Sequence, residues 1–266
     1  MPSYGRPNYG KVTRACLAFD IHMHPRSSSN NPKEYANELD QVTREGQLRL
    51  YPKLTNPNWL VLRSRREIFE RWIEGISGQE FCILDIGGRI QPYRPLFKDR
   101  VETYVGLDLA ITPLVDVVAR GESLPFLQNQ FDLVICTQVL QYVPEPARVV
   151  TEMFRVLKPG GHLLLSVPSA YPIDSGEECW RFLPGALHYL LAPFAALQIE
   201  PELDSISSFF RTINVCLDIF TKYQLLRSIF RYTACPAFNL TGTFLQQLSG
   251  STNSQCAVNY SVLARK

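Results

Sequence analysis

From residue 81 onward, short apolar runs alternate with turn-rich or amphipathic segments, and this alternation limits the fold more than any other feature. Runs at 81–86, 103–109, 115–119, 131–137 and 162–167 are each long enough for one strand. Near-continuous apolar runs suit strands buried on both faces, as in a parallel sheet. Between the fourth and fifth runs, residues 146–157 place Val149, Val150, Met153, Val156 and Leu157 on one helical face. Lys158-Pro159-Gly160-Gly161 then reads as a helix stop followed by a turn. Strands alternating with helical segments predict an α/β fold: a doubly wound, mostly parallel sheet with right-handed crossovers and helices on both faces.

The flanks are less regular. Residues 1–57 read as an irregular N-terminal arm, with Pro, Ser and Asn clustered at 25–32. His22 and His24 flank Met23 there, but no second ligand pair exists, so no metal site is expected. Residues 58–78 space Trp59, Leu60, Leu62, Ile68, Phe69, Trp72 and Ile73 as an amphipathic helix. After the fifth run, 186–191 reads as a helix, 195–200 as a sixth strand and 256–264 as a final strand. Between the last two, 205–232 carries one long apolar-periodic helical pattern, so a helical insertion is expected over about 205–250.

Composition narrows the function classes. The 266 residues carry 27 basic and 25 acidic side chains, and a net charge of +2 argues against nucleic acid as the main partner. Seven cysteines stand singly with no C-x-x-C pair, which fits reduced thiols in a cytoplasmic protein. The opening residues lack an apolar secretory core. The uncharged, apolar stretch 183–199 is broken by Pro184, Gly185, His188 and Pro193, so no transmembrane segment is expected.

An open parallel sheet binds ligands beyond the carboxyl ends of its strands. That rule selects Gly87 and Gly88 after the first strand, Asp108 after the second, Gly121 and Glu122 after the third, and Thr137 and Gln138 after the fourth. A carboxylate at 108 is placed to accept hydrogen bonds from ribose hydroxyls, and glycines after the first strand let backbone approach a ligand. The dinucleotide fingerprint G-x-G-x-x-G fails, since Arg89 and Pro92 stand where its second and third glycines belong. This disfavours a nicotinamide-dependent oxidoreductase.

Four segments carry a more specific pattern: ILDIGGRIQPYRPLF (83–97), YVGLDL (104–109), the stretch from GESLPF through RVLKPGGHLLLSVP (121–168), and CWRFLPGALHYLL (179–191). Their order and spacing over about 110 residues resemble class I S-adenosylmethionine-dependent methyltransferases, of the broad type 11 group. The resemblance implies a Rossmann-like sheet of seven strands whose last strand is antiparallel, with a helical insertion before it. It implies S-adenosylmethionine as cofactor. It also implies a methyltransferase domain over 58–266 and methyl transfer to oxygen or nitrogen of a small-molecule or glycan acceptor.

Under the resemblance, Asp85, Gly87, Gly88 and Arg89 form the cofactor loop, Asp108 holds the ribose and Leu109 flanks the adenine. Gly121 and Glu122 form the adenine-side loop, and Thr137 and Gln138 sit beside the sulfonium. Tyr142, Tyr171, Trp180 and Arg181 are expected to shape the acceptor pocket. Asp174, Glu177, Glu178 and His188 are candidate bases, none of them singled out. Three departures stand out. Arg89 and Gln91 fill later glycine positions, Arg120 stands where an adenine-contacting Asp is common, and Tyr142 replaces a frequent His. They keep a second reading open, a methyltransferase-like protein that binds or scaffolds without catalysis. A homodimer through the insertion, or a membrane-surface contact there, is also left open by Phe209-Phe210.

Overall fold

The computed structural model describes residues 31–170, 173, 175–249 and 253–266. Its centre is a seven-stranded sheet: β1 (Phe81–Ile86), β2 (Val101–Asp108), β3 (Val117–Val118), β4 (Phe131–Thr137), β5 (Leu157–Pro168), β6 (Ala196–Pro201) and β7 (Asn259–Arg265). The order is β3-β2-β1-β4-β5-β7-β6. The strands from β3 to β5 pair in parallel, whereas β7 runs antiparallel between β5 and β6. This is the Rossmann-like, mostly parallel sheet that the alternation predicts, with the expected antiparallel last strand.

Helices α1 (Pro32–Leu50) and α2 (Trp59–Gly75) precede the sheet, and α3 (Pro146–Val156) and α4 (Pro184–Leu190) lie among its strands. Alternating side chains along β1 build the two faces. Leu84 and Ile86 join Val149, Val150 and Met153 of α3 and Leu187 of α4 in one core. Ile83 joins Ile68, Phe69, Trp72 and Ile73 of α2 in the other. Each such side chain stabilises the fold by about 1.5–3 kcal/mol when fully buried. The crossover from β1 to β2 carries only a short 3-10 turn, Arg94–Phe97, rather than a full helix.

Three expectations need correction. Residues 32–50, expected to be irregular, form a 19-residue helix. Asn31 accepts a hydrogen bond from the Lys33 amide, Pro32 occupies the first turn, and Val42, Gly46 and Leu50 form a narrow buried stripe at i, i+4 and i+8. One residue of that stripe is a glycine, so the apolar pattern was too thin to register. A Cβ on Gly46 would lie 2.4 Å from the Ile90 carbonyl oxygen, so the helix is drawn against the loop after β1.

The segment Lys158-Pro159-Gly160-Gly161 is not the stop of α3: the helix ends at Val156, and these residues lie within β5, which begins at Leu157 paired with Phe131. The insertion is three helices, α5 (Ser205–Phe220), α6 (Gln224–Tyr232) and α7 (Ala234–Ser249), not one run through 232. Thr221 takes extended backbone and its hydroxyl donates to the Leu217 carbonyl, which closes α5. Periodicity cannot see such a break when apolar residues continue across it.

Among the described residues no helix is long and apolar enough to cross a membrane, and no His, Cys, Asp and Glu cluster could hold a metal. His22 and His24 lie outside the described residues.

Candidate functional site

A cavity of about 970 Å³ opens over the carboxyl ends of β1, β2 and β4, at the upper end of the range for small-molecule sites, about 300–1,000 Å³. The sheet forms its floor. Helices α1, α2 and α5 form the facing wall. Gly87, Arg89, Asp108, Leu109, Gly121, Glu122, Thr137, Gln138 and Tyr142 all line it.

Asp108 ends β2 with one carboxylate oxygen accepting the Ala110 amide at 2.8 Å, and the other has no partner among the described residues. Leu109 follows with its side chain largely exposed to the cavity. Gln138, at φ 57, donates its amide N–H to the Ser166 carbonyl and its side-chain Nε2 to Ser166 Oγ at 3.0 Å. The side-chain oxygen of Gln141 is buried at the cavity without a hydrogen-bond partner among the described residues. A ligand N–H or O–H would satisfy it.

Two of the expected residues stand beneath the floor. Asp85 and Gly88 do not line the cavity. The Asp85 carboxylate accepts the Tyr104 hydroxyl at 2.7 Å and is buried. Burial pushes its carboxyl up to about 7; the Tyr104 hydrogen bond opposes this and the nearby Asp108 charge adds to it. A Cβ on Gly88 would come within 2.7 Å of the Asp85 carbonyl oxygen and 3.0 Å of its side chain, so this glycine serves packing over Asp85 rather than ligand approach. The amides of Gly87 and Gly88 both donate to the Leu107 carbonyl, at 2.8 and 3.1 Å. Gln91, at one of the displaced glycine positions, adopts the left-handed backbone itself (φ 41) and donates to the Leu114 carbonyl at 2.6 Å.

Arg89 does not block the cavity. It reaches Glu45 of α1 at 2.7 Å, a half-exposed pair. Trp180 and Arg181 also lie off the cavity wall. The Trp180 indole N–H donates to the Val143 carbonyl at 2.9 Å, and Arg181 pairs with Glu178 at 2.8 Å. Both anchor the loop that brings Glu177 and Glu178 to the cavity. His188 sits on α4 away from it, and Tyr171 and Asp174 lie outside the described residues.

The facing wall went unread in the sequence. Arg49 of α1, Arg65 of α2 and Arg211 of α5 line it. Arg65 lies at 2% exposure against Glu202, at 2.8 and 2.9 Å. Glu202 also accepts from Ser166 and Ser261. Burial alone would lower the Arg65 guanidinium, but Glu202 and the nearby Tyr93 turn the net shift upward. Burial lowers Arg49, with Tyr93 opposing and Arg65 and Arg89 pushing further down. Arg65 sits inside an expected amphipathic helix, and nothing local marks one arginine there as buried.

In a seven-stranded sheet of this order the cavity, with the acidic residue that closes β2, lies over the strand ends, where open α/β sheets bind their ligands. Residues 84–165 match the family described as a methyltransferase domain. A ubiquinone biosynthesis O-methyltransferase of Pseudomonas fluorescens is 28% identical over 144 residues, 44% of this chain and 60% of that protein. An uncharacterized methyltransferase of Mycobacterium tuberculosis is 34% identical over 120 residues, 41% of this chain and 45% of that protein. The chain spans less than two thirds of the length of these relatives. Among solved structures, the [4+2]-cyclase SpnF superposes with a TM-score of 0.47 at 18% identity, over 76% of this chain and 80% of that one. A putative sarcosine dimethylglycine methyltransferase of Galdieria sulphuraria also gives 0.47, at 14% identity over 77% and 88%. The likeness to methyltransferases is thus carried by the segment that holds β1 to β5.

Proposed function

We propose that this chain transfers the methyl group of S-adenosylmethionine to oxygen or nitrogen of a small-molecule or glycan acceptor. The observation that carries the reading is one cavity joining the open carboxylate oxygen of Asp108 to Gly121, Glu122, Thr137 and Gln138 at successive strand ends. In this reading Asp108 accepts the ribose hydroxyls, Leu109 covers one adenine face and Glu122 faces the other side of the base. The bound cofactor supplies an electrophilic methyl group with a good leaving group.

The chain's work is then alignment and exclusion of water. Thr137 and Gln138 border the transfer point, with Gln138 held by Ser166. Tyr142 and Glu177 face the acceptor side. A hydroxyl acceptor needs a proton acceptor; Glu177 lines the cavity, whereas Glu178 is engaged by Arg181. The name of the ubiquinone biosynthesis relatives favours oxygen.

Calorimetry with S-adenosylhomocysteine, S-adenosylmethionine and NAD tests the reading. Both sulfur ligands are expected to bind, and Asp108→Ala is expected to cost about 1–3 kcal/mol of that affinity. No heat with either sulfur ligand in a folded sample would sink the proposal, and heat with NAD alone would favour the oxidoreductase. The non-catalytic reading draws on Gln91 and Arg89 in glycine positions; binding without turnover across an acceptor panel would favour it.

A further inference from the structure

The charges around the cavity are sorted along the strand order. Asp108 and Glu122 stand over β2 and β3 at one end, and Pro168 of β5 and Asn259 of β7 line the other. Two arginines face the second end. Arg65 is anchored there, because its partner Glu202 also accepts from Ser166 of β5 and Ser261 of β7. Arg211 donates from Nε and Nη2 to the side-chain oxygen of Asn58, at 3.1 and 2.8 Å. Asn58 precedes α2 and stands one turn ahead of Val61, which shares a buried cluster with Val258 beside Asn259.

Arg65 points to a ligand. Glu202 occupies its Nε and Nη2, at 2.8 and 2.9 Å, while Nη1 is buried and meets no hydrogen-bond acceptor among the described residues. The side chain nevertheless lines the cavity. A buried guanidinium N–H left unsatisfied is costly, and an oxyanion is the acceptor that satisfies it best. Arg49 of α1 stands within electrostatic reach of Arg65. Burial holds the Arg49 guanidinium below its ordinary value; Tyr93 opposes this, and Arg65 and Arg89 push further down. A bound anion would offset both the burial and the crowding of cations. The acids Glu45 and Glu178 at the cavity are matched by Arg89 and Arg181.

We propose that the methyl acceptor carries a carboxylate or phosphate, and that Arg65, with Arg49 and Arg211, holds this oxyanion at the β5–β7 end of the cavity. The inference rests on the methyl-transfer reading above. Gln138, after β4, lies between the two ends in strand order, so an acceptor anchored by its oxyanion extends its nucleophile toward the transfer point. A neutral glycan, or an amine without an acidic group, is then a poorer acceptor than a sugar acid, a sugar phosphate or an aromatic acid.

Calorimetry on the full chain tests this in two stages. S-adenosylhomocysteine is titrated first; no heat from a folded sample overturns the methyl-transfer reading and this proposal with it. Benzoate and inorganic phosphate are then titrated separately into the S-adenosylhomocysteine-saturated chain at low salt. Saturable binding of at least one is expected, and the tighter of the two tells a carboxylate acceptor from a phosphorylated one. Arg65→Lys keeps a cation for Glu202 and removes the spare nitrogen. This variant and Arg49→Gln, each checked for fold by circular dichroism, are expected to weaken the anion about tenfold while changing S-adenosylhomocysteine affinity by less than about twofold. Failure of both anions to bind, with S-adenosylhomocysteine bound normally, overturns the proposal alone, as does anion binding that neither variant weakens. So does a loss of S-adenosylhomocysteine affinity in the variants while 5′-methylthioadenosine, which lacks the amino-acid carboxylate, binds as before; the arginines then hold the cofactor's own carboxylate.

Discussion

The two walls of the cavity solve opposite electrostatic problems. The floor, built from strand ends, presents carboxylates at Asp108 and Glu122 and keeps a third, Asp85, beneath it with a phenol as its hydrogen-bond donor. The wall, built from helices, presents arginines and neutralises the most buried of them with Glu202. The difference teaches where each kind of group can be held. A strand end gives a short acid a backbone partner at once, as Ala110 does for Asp108. A long arginine must be carried in by a helix and needs a carboxylate from elsewhere, here 137 residues away in sequence.

If the wall depends on that distant carboxylate, Glu202→Gln should do the largest damage. It leaves the Arg65 charge buried and unmatched, and a loss of about 3–5 kcal/mol in unfolding free energy is expected from urea titration. A loss below about 1 kcal/mol would mean that the wall is held by packing alone.

The floor should answer to pH. The folded-state value of Asp85, about 7, lies above its ordinary 3.8, so the folded state keeps the proton longer than the unfolded chain does. Its contribution is therefore full below about pH 4 and is lost as pH rises through 7, by up to about 4 kcal/mol. Asp85→Asn is expected to flatten that slope in unfolding measurements between pH 4 and 8. An unchanged slope would place the ionisation elsewhere. The smallest effect is expected for Arg89→Ala. Its pair with Glu45 is half exposed on both sides, so stability should fall by less than about 1 kcal/mol, read as a small drop in Tm.

The two walls also differ in how far they can be read from the sequence. The floor announces itself because strand runs and turn glycines are local, and the position of Asp108 follows from them. The wall does not. Arg65 looks like any arginine on an amphipathic helix, and Glu202 follows an edge strand with no mark of burial. The glycine loop was legible as a loop but not in its detail. Gly88 packs on Asp85, and Gln91 takes up a glycine-like backbone, two facts set by neighbours in space. Helix α1 stayed hidden because its inward stripe includes Gly46, whose value is a close approach to Ile90 rather than hydrophobicity.

The hydrogen-bonded chain from Gln138 through Ser166 and Glu202 to Arg65 has a mechanical consequence. It ties the ends of β4, β5 and β6 to α2, so that the floor and that part of the wall share one continuous hydrogen-bond network. Helix α1 meets the loop after β1 differently, by the packing of Val42 on Ile90 and Leu114 and of Gly46 on the Ile90 carbonyl, with the half-exposed Arg89–Glu45 pair at its side.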